Sequence, residues 1–408
     1  MANHASTSSE CPLDASRLIV TKTDKLNPIP EPGSAELWAQ NACCDHMVIA
    51  RWSVDQGWEA PELKPFGDIS ISPAASCLHY ATQCFEGMKV YRGFDGKLRL
   101  FRPERNAKRL VMSSQRVSLP GFDEEELVKL IKALVRLDCP SEIPHSPLYV
   151  FSLLIRWLTK DKPGKFLYIR PAVIGNGRQI GIQIPAEATI IILMVSWPDY
   201  SSETPPGAPP KQHGLRLLTS ENGSARAWPG GFGYAKIGAN YGPSFLSLGE
   251  CHKRGYDQIL WVLGPDSQVT EAGASNFFVL IKNHDTGRPE LITPPLDDKI
   301  ILEGITRQSV LDLARSRLSD QLDVVETKFN MHDLKAAWKE GRILEAFVSG
   351  TAFFISPVSI IAFEGEDIDI PLKGSVPSGG CAETIKGWLR DIMFGNVDHE
   401  WGIVVHEE

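Results

Sequence analysis

The sequence predicts an α/β protein, of the α+β kind, built as two domains. Three observations carry this. At 408 residues the chain is longer than one core usually organises, and its balance of 43% hydrophobic and 23% charged residues is ordinary for a globular protein. Apolar runs of strand length occur with amphipathic helical stretches along the chain. The stretch Trp197-Pro-Asp-Tyr-Ser-Ser-Glu-Thr-Pro-Pro-Gly-Ala-Pro-Pro210 is the clearest linker. The expected organisation is a flexible N-terminal extension over 1–44, a smaller N-terminal domain over 45–197, an interdomain loop over 198–211 and a larger C-terminal domain over 212–408.

In the first domain, 47–53 is an apolar strand, and 69–72 alternates and reads as another. Residues 86–92 and 97–101 are the arms of a hairpin turning at 93–96. Arg102 precedes Pro103, and proline favours the first helical position, so a helix begins there. Over 123–137, Leu127, Leu130, Ile131, Leu134 and Val135 share one helical face behind an acidic first turn. Along the strand 165–171, Tyr168 and Arg170 are two apart and point to one face, and the same holds for Ile180 and Ile182. Isolated isoleucines of that kind read as core. Residues 189–195 form a wholly apolar strand.

In the second domain, 215–218 and 258–263 are strands, and 244–254 is a helix that Gly255 ends. Residues 269–281 are apolar around Glu271, and 289–295 is a strand meeting a turn. Gly304 opens a helix running to about Arg317. Residues 343–358 are strand, turn and strand, and 383–393 is a final helix before an acidic tail.

The totals exclude several classes. A net charge of −8 leaves no basic footprint for nucleic acid. The longest apolar runs, 147–155 and 188–197, fall short of the ~20 residues a membrane helix needs. The eight cysteines make no Cys-x-x-Cys and no metal spacing with histidine, so no metal is expected and a reducing compartment fits. The N-terminus carries Glu10 and Asp14, and Arg17 is its one arginine before Lys22, a poor mitochondrial transit peptide. The cytoplasm is expected first and the mitochondrion second.

The candidate chemistry lies in Arg226-Ala-Trp-Pro-Gly-Gly-Phe-Gly-Tyr-Ala-Lys-Ile-Gly-Ala-Asn-Tyr-Gly-Pro243. Lys236 stands there among small residues that let a flat ligand approach the backbone. A lysine that forms a Schiff base needs such company, although a glycine-rich surface loop carrying a solvated lysine would read the same way. Glu271 weighs between the two. It lies between apolar strands, where a carboxylate is costly unless it meets a cation or a protonated ring. Pyridoxal phosphate offers such a ring, and its nitrogen needs an acidic partner to act as an electron sink. A structural ion pair is the other reading of Glu271.

Tyr234-Ala-Lys-Ile-Gly-Ala-Asn-Tyr-Gly-Pro243, Thr270-Glu-Ala-Gly-Ala-Ser-Asn-Phe277, Leu302-Glu-Gly-Ile-Thr-Arg-Gln-Ser309 and Val348-Ser-Gly-Thr-Ala352 resemble the branched-chain aminotransferases. So do Leu78-His-Tyr-Ala-Thr-Gln-Cys-Phe-Glu-Gly-Met-Lys89 and Leu100-Phe-Arg-Pro103. The motifs stand in family order from about Asp45 onward. The resemblance implies the two-domain, D-amino-acid aminotransferase-like architecture of pyridoxal 5′-phosphate fold type IV, with an active site at the domain junction and a homodimer. It implies that Lys236 is the catalytic, cofactor-bonded lysine, that Glu271 faces the ring nitrogen and that Tyr241 faces the phenolic oxygen. Arg102, Ile305, Thr306 and Thr351 are implied for the phosphate. Tyr80, Phe85, Gly87, Tyr168, Arg170, Tyr200 and Ala352 are implied for the substrate, an amino acid or a 2-oxo acid.

Against the family pattern, 139–155 is an expected insertion that contains the apolar Tyr149-Val-Phe-Ser-Leu-Leu-Ile155. Pro198-Asp199 stand where relatives carry Gly-Ala, and Ala274 and Ser275 replace bulkier residues. These departures keep open a related transaminase with another amino or keto acid. A fold-type IV lyase or a catalytically dead binding protein are the further alternatives.

Overall fold

The computed structural model describes residues 11–140, 157–200, 203, 206–207, 214–221, 223–352, 354–372 and 380–407. Most of the expected insertion, 141–155, lies outside them. The chain divides into two units, one of Met1–Trp197, Lys236–Gly238 and Met393–Glu408, the other of Pro198–Ala235 and Ala239–Ile392. The expected C-terminal domain therefore does not keep all of its residues. Lys236–Gly238 and the tail pack with the first unit.

The first unit holds a mixed sheet in the order Ile19–Val20, Glu62–Pro65, His46–Ser53, Glu187–Val195, Phe166–Ile174, Met88–Arg92, Leu98–Phe101 and Gly402–Val405. Gln83–Phe85 pairs antiparallel with Phe166–Ile174, Phe85 opposite Ala172. The helices Pro103–Arg116 and Glu124–Asp138 pack against each other, and the second also touches His46–Ser53. All five apolar residues expected on one face of the second helix are buried. At its start the Asp123 carboxylate accepts the N–H of Glu125.

The structure corrects three expectations here. Residues 69–72 are not a strand, and Ile69 is exposed; Glu62–Pro65 takes the place beside His46–Ser53 instead. The extension over 11–44 is ordered rather than irregular. Leu13 is buried, and the N–H of Ala15 donates to Glu126. Ile19–Val20 pairs with Glu62–Pro65, and the N–H of Asn27 donates to Asp45. Hydrogen bonds more than apolar periodicity hold this segment, so hydrophobic patterning could not show it. Third, Ile180 and Ile182 are exposed, not core.

The second unit is organised by six strands that close on themselves. Gln268–Ala272, Gln258–Leu263, Leu215–Thr219, Phe354–Phe363, Ile343–Gly350 and Ser275–Lys282 pair in that order, and the last pairs back with the first. Its core gathers Leu217, Leu260, Phe277, Val348, Val358 and Ile361. Gly273 turns the 272–275 hairpin at φ +58°, where a Cβ would also strike the Gln258 side chain. The helix Met331–Lys339 was not expected. An Asn330–Asp333 capping box starts it, with the Asn330 side chain accepting the Asp333 N–H. No helix among the described residues is long and apolar enough to cross a membrane.

Candidate active site

The expected site residues fall into two groups, one in each unit. In the first unit the helix Pro103–Arg116 arranges most of the polar chemistry. Arg102 is its N-cap, in the left-handed conformation at φ 46°, with Pro103 at the first helical position. A non-glycine residue there is uncommon, and the surrounding contacts hold it. Its N–H donates to the Trp401 carbonyl, and its guanidinium lies 4.2 Å from the Trp401 ring centre. Trp401, just before the strand Gly402–Val405, thus packs under Arg102.

Sequence reasoning missed Glu86. It is fully buried between Phe85 and Gly87, where Arg109 Nε donates to it at 2.6 Å and Arg109 Nη2 at 2.9 Å. Asn106 Nδ2 donates at 2.7 Å and the Gly87 N–H at 3.1 Å. Burial pushes its carboxyl up, but the Arg109 charge and its hydrogen bonds outweigh that and hold the carboxyl below its ordinary value. The positive charge of Lys236 adds to the lowering. A signal existed in the sequence: Arg102, Asn106, Arg109 and Ser113 fall on one helical stripe, four polar residues where an apolar stripe would be usual.

Lys236 is half-buried and its main chain is fastened on both sides. Its N–H donates to Ser113 Oγ at 2.9 Å, and its carbonyl accepts the Phe85 N–H at 3.0 Å. The next residue, Ile237, bridges Cys84 antiparallel. Lys236 Nζ lies 4.9 Å from the Phe85 ring centre. Cys84 itself is no nucleophile, since burial pushes its thiol up to about 12.

Phe85, Gly87, Tyr168 and Arg170 come together around this point. The Arg170 guanidinium lies 4.8 Å from the Phe85 ring centre and 5.2 Å from that of Tyr168. Arg170 Nη2 donates to the Tyr168 hydroxyl at 3.4 Å, while its buried Nε has no hydrogen-bond partner among the described residues. Tyr168 stacks on Trp197 at 4.5 Å. A Cβ on Gly87 would sit 1.8 Å from the Tyr168 hydroxyl. Gly87→Ala is therefore expected to push Tyr168 aside and raise the KM for the amino acid about tenfold, roughly 1.4 kcal/mol of binding; steady-state kinetics of the variant check it. Tyr80 stands apart from these residues, exposed, its hydroxyl donating to the Ile180 carbonyl.

In the second unit Glu271 is buried in an ion pair that sequence reasoning did not assign. Arg226 Nη1 lies 2.5 Å from its Oε2. Asn276 Nδ2 and the Leu302 N–H donate to Oε1 at 3.4 and 3.3 Å. Arg226 also donates to the Ile300 carbonyl at 3.3 Å. The ion-pair reading of Glu271 is thus realised in this structure, and the pair compensates two buried charges.

Glu271, Asn276 and Ser349 are directly opposed across three neighbouring strands, so their side chains share one sheet face. Gly304, before the helix Ile305–Arg317, packs so closely that a Cβ would sit 2.0 Å from Asn276 Oδ1. Gly304 has no side chain to cap that helix, so the first-turn N–H groups at Ile305 and Thr306 are available to an outside acceptor. Arg307 takes no part. Its guanidinium donates to the Pro294 carbonyl and to Glu326 instead. Thr351 and Ala352 form the turn after Ile343–Gly350. Tyr241 follows the short turn Gly238–Asn240, and Tyr200 is half-buried near the unit's start.

The Ser349 hydroxyl, fully enclosed, has no hydrogen-bond partner among the described residues. Leaving it unpaired costs desolvation. Ser349→Ala is expected to stabilise the cofactor-free protein by about 1 kcal/mol. A urea titration measures this.

These donors suit a flat, phosphate-bearing, cationic-ringed group. Glu271 is a buried acid, the glycine-led helix end accepts anions, and an unpaired hydroxyl shares the acid's sheet face. Among the described residues no three histidine, cysteine or acidic side chains cluster together.

Comparison with known proteins agrees. The family model for amino-transferase class IV matches residues 83–361. The chain is 38% identical to the cytosolic branched-chain-amino-acid aminotransferase of Saccharomyces cerevisiae over 97% of its own length and 98% of that protein's. It is 40% identical to the cytosolic enzyme of that name from Mus musculus, over 95% of this chain and 92% of the other. Among solved structures, the branched-chain aminotransferase of Thermoproteus uzoniensis with norvaline aligns with a TM-score of 0.64 at 23% identity, covering 88% of this chain and 100% of that one. That of Thermobaculum terrenum in its PLP form aligns at 0.61 and 22%, covering 88% and 98%. Both share the fold. The chain belongs to the class IV aminotransferases, in the family of the branched-chain-amino-acid aminotransferases.

Proposed function

We propose that the chain is a pyridoxal 5′-phosphate-dependent transaminase that moves the amino group between branched-chain L-amino acids and 2-oxoglutarate. One observation supports it above the others: Lys236 is anchored at both main-chain ends beside an aromatic pocket that also holds Arg170. Near-full-length relatives named for this activity support the substrate. The cofactor, when bound, supplies an aldehyde that takes up an amine and a ring that draws electrons from the carbon bearing it.

The residues divide the remaining work. Lys236 Nζ would hold the cofactor's aldehyde carbon between turnovers. Released, it takes the proton from the substrate Cα as general base and returns one as general acid. The Glu271 carboxylate, held by Arg226, would accept from the ring nitrogen, and the Tyr241 hydroxyl would donate to the phenolic oxygen. Arg102, the N–H groups of Ile305 and Thr306, and the Thr351 hydroxyl bind the phosphate, which fixes orientation before chemistry. Arg170, the Tyr168 hydroxyl and the Ala352 N–H hold the substrate carboxylate. Tyr80, Phe85, Gly87 and Tyr200 shape the side-chain pocket.

A homodimer fits the exposed apolar residues of the first unit, among them Leu78, Ile180, Ile182 and Ile184. Relatives include cytosolic and mitochondrial proteins. Asp199, Ala274 and Ser275 favour a second reading, a transaminase of the same class with another donor. Borohydride reduction followed by peptide mapping tests the reading: the adduct is expected on Lys236, and an adduct elsewhere overturns it. A panel of leucine, isoleucine, valine and other amines with 2-oxoglutarate separates the two readings, since failure with all three branched donors and turnover of another favours the second.

A further inference from the structure

We propose that Ser113 is a positioning residue for Lys236, and that the helix Pro103–Arg116 sets where the lysine stands. This rests on the reading of Lys236 as the cofactor-bonded lysine.

Lys236–Gly238 is a three-residue stretch that packs with the first unit, while Ala235 and Ala239 on either side of it belong to the second. Such a stretch needs its own fastenings. Two main-chain contacts come from the strand Gln83–Phe85: the Phe85 N–H donates to the Lys236 carbonyl, and Cys84 bridges Ile237. The Lys236 N–H goes instead to the Ser113 hydroxyl at 2.9 Å, and Ser113 is fully buried. Water cannot easily replace that acceptor. Close packing adds to the hold, since a Cβ on Gly238 would sit 2.6 Å from Gln83 Nε2.

Ser113 is not an isolated contact. Arg102, Asn106, Arg109 and Ser113 are spaced four, three and four apart, along one face of the helix. Asn106 and Arg109 tie that face to Glu86, and Asn106 also donates to the Gly87 carbonyl at 3.2 Å. Glu86 directly follows Phe85, whose N–H holds the other end of Lys236. One rigid helix therefore registers three things together: the phosphate arginine at its start, the strand that carries Phe85, and the lysine main chain. Displacing a reacting group by about 1 Å can cost on the order of 10²-fold in rate. An alanine at 113 leaves the Lys236 N–H without its acceptor and frees that end of the stretch.

The test compares Ser113→Ala and Ser113→Thr with the wild type as full-length proteins. Four quantities are read: kcat and KM; exchange of the Lys236 amide hydrogen in the cofactor-free protein, by mass spectrometry; the pH titration of the cofactor's visible absorption band; and the thermal midpoint of the cofactor-free protein. For Ser113→Ala, kcat is expected to fall about 10- to 100-fold with KM nearly unchanged. Lys236 amide exchange should quicken and the absorption titration should shift, while the thermal midpoint barely moves. Ser113→Thr, which keeps the hydroxyl, should restore kcat and amide protection. Wild-type kcat and exchange in Ser113→Ala overturn the proposal. So does a loss of kcat that tracks a fall in thermal midpoint and is not rescued by threonine, because that marks a packing role. If borohydride labels Lys236 in the wild type, these outcomes concern Ser113 alone; a label elsewhere removes the reading and this proposal with it.

Discussion

Lys236→Ala is expected to lower transamination by about 10⁴-fold or more, because it removes both the covalent attachment and the proton carrier. General acid–base catalysis alone contributes roughly 10²–10⁴. The variant is expected to fold, since Lys236 is fastened by its main chain, which alanine retains: the N–H to Ser113 and the carbonyl from Phe85. Its half-buried Nζ lies 4.9 Å from the Phe85 ring centre. Two measurements check the expectation together. Single-turnover kinetics should show the loss in chemistry, and an added small primary amine should restore part of the proton transfer but none of the borohydride adduct at 236. Retention of more than a few per cent of wild-type kcat would sink the assignment of Lys236 as base.

The candidate residues could be picked out in the sequence because their company is unusual for their type. Lys236 among glycines and Glu271 between apolar strands both stand out, and the cost of burying Glu271 is met in the structure by Arg226. The strand and helix periods were legible for the same reason: Leu127, Leu130, Ile131, Leu134 and Val135 form an apolar face that has only one place to go. What stayed hidden was pairing. Nothing in the order of residues says that Arg226, forty-five positions earlier, meets Glu271, or that Glu86 meets Arg109, because ion pairs are made by the tertiary fold. The ordered stretch over 11–44 escaped for a related reason. Its anchors are single hydrogen bonds such as the Thr23 N–H to His46 Nε2, which leave no period behind. Residues 69–72 failed the other way: a short alternation is a weak signal, and a neighbouring segment took the pairing.

Glu86→Gln is expected to destabilise the first unit by about 3–5 kcal/mol, because it removes the negative partner of a buried ion pair while the Arg109 guanidinium stays charged. Against a total stability of roughly 5–15 kcal/mol for a domain, that is a large share. Glutamine keeps the shape and can still accept from Asn106, so lost volume does not explain the effect. The pH dependence follows from the direction of the shift. The folded carboxyl lies below its ordinary value of 4.5, so its stabilisation is full above that value and is lost as pH falls through the folded one. The gap between wild type and Glu86→Gln in urea titrations should thus be constant near neutrality and close on the acid side. A cycle with Arg109→Met sharpens the point. Each single change removes one side of the Glu86–Arg109 pair, whereas Glu86→Leu with Arg109→Met removes both charges and should recover much of the loss. Equal urea midpoints for wild type and Glu86→Gln at neutral pH would mean that this ion pair, buried as it is, does not hold the strand carrying Phe85 to the helix carrying Ser113.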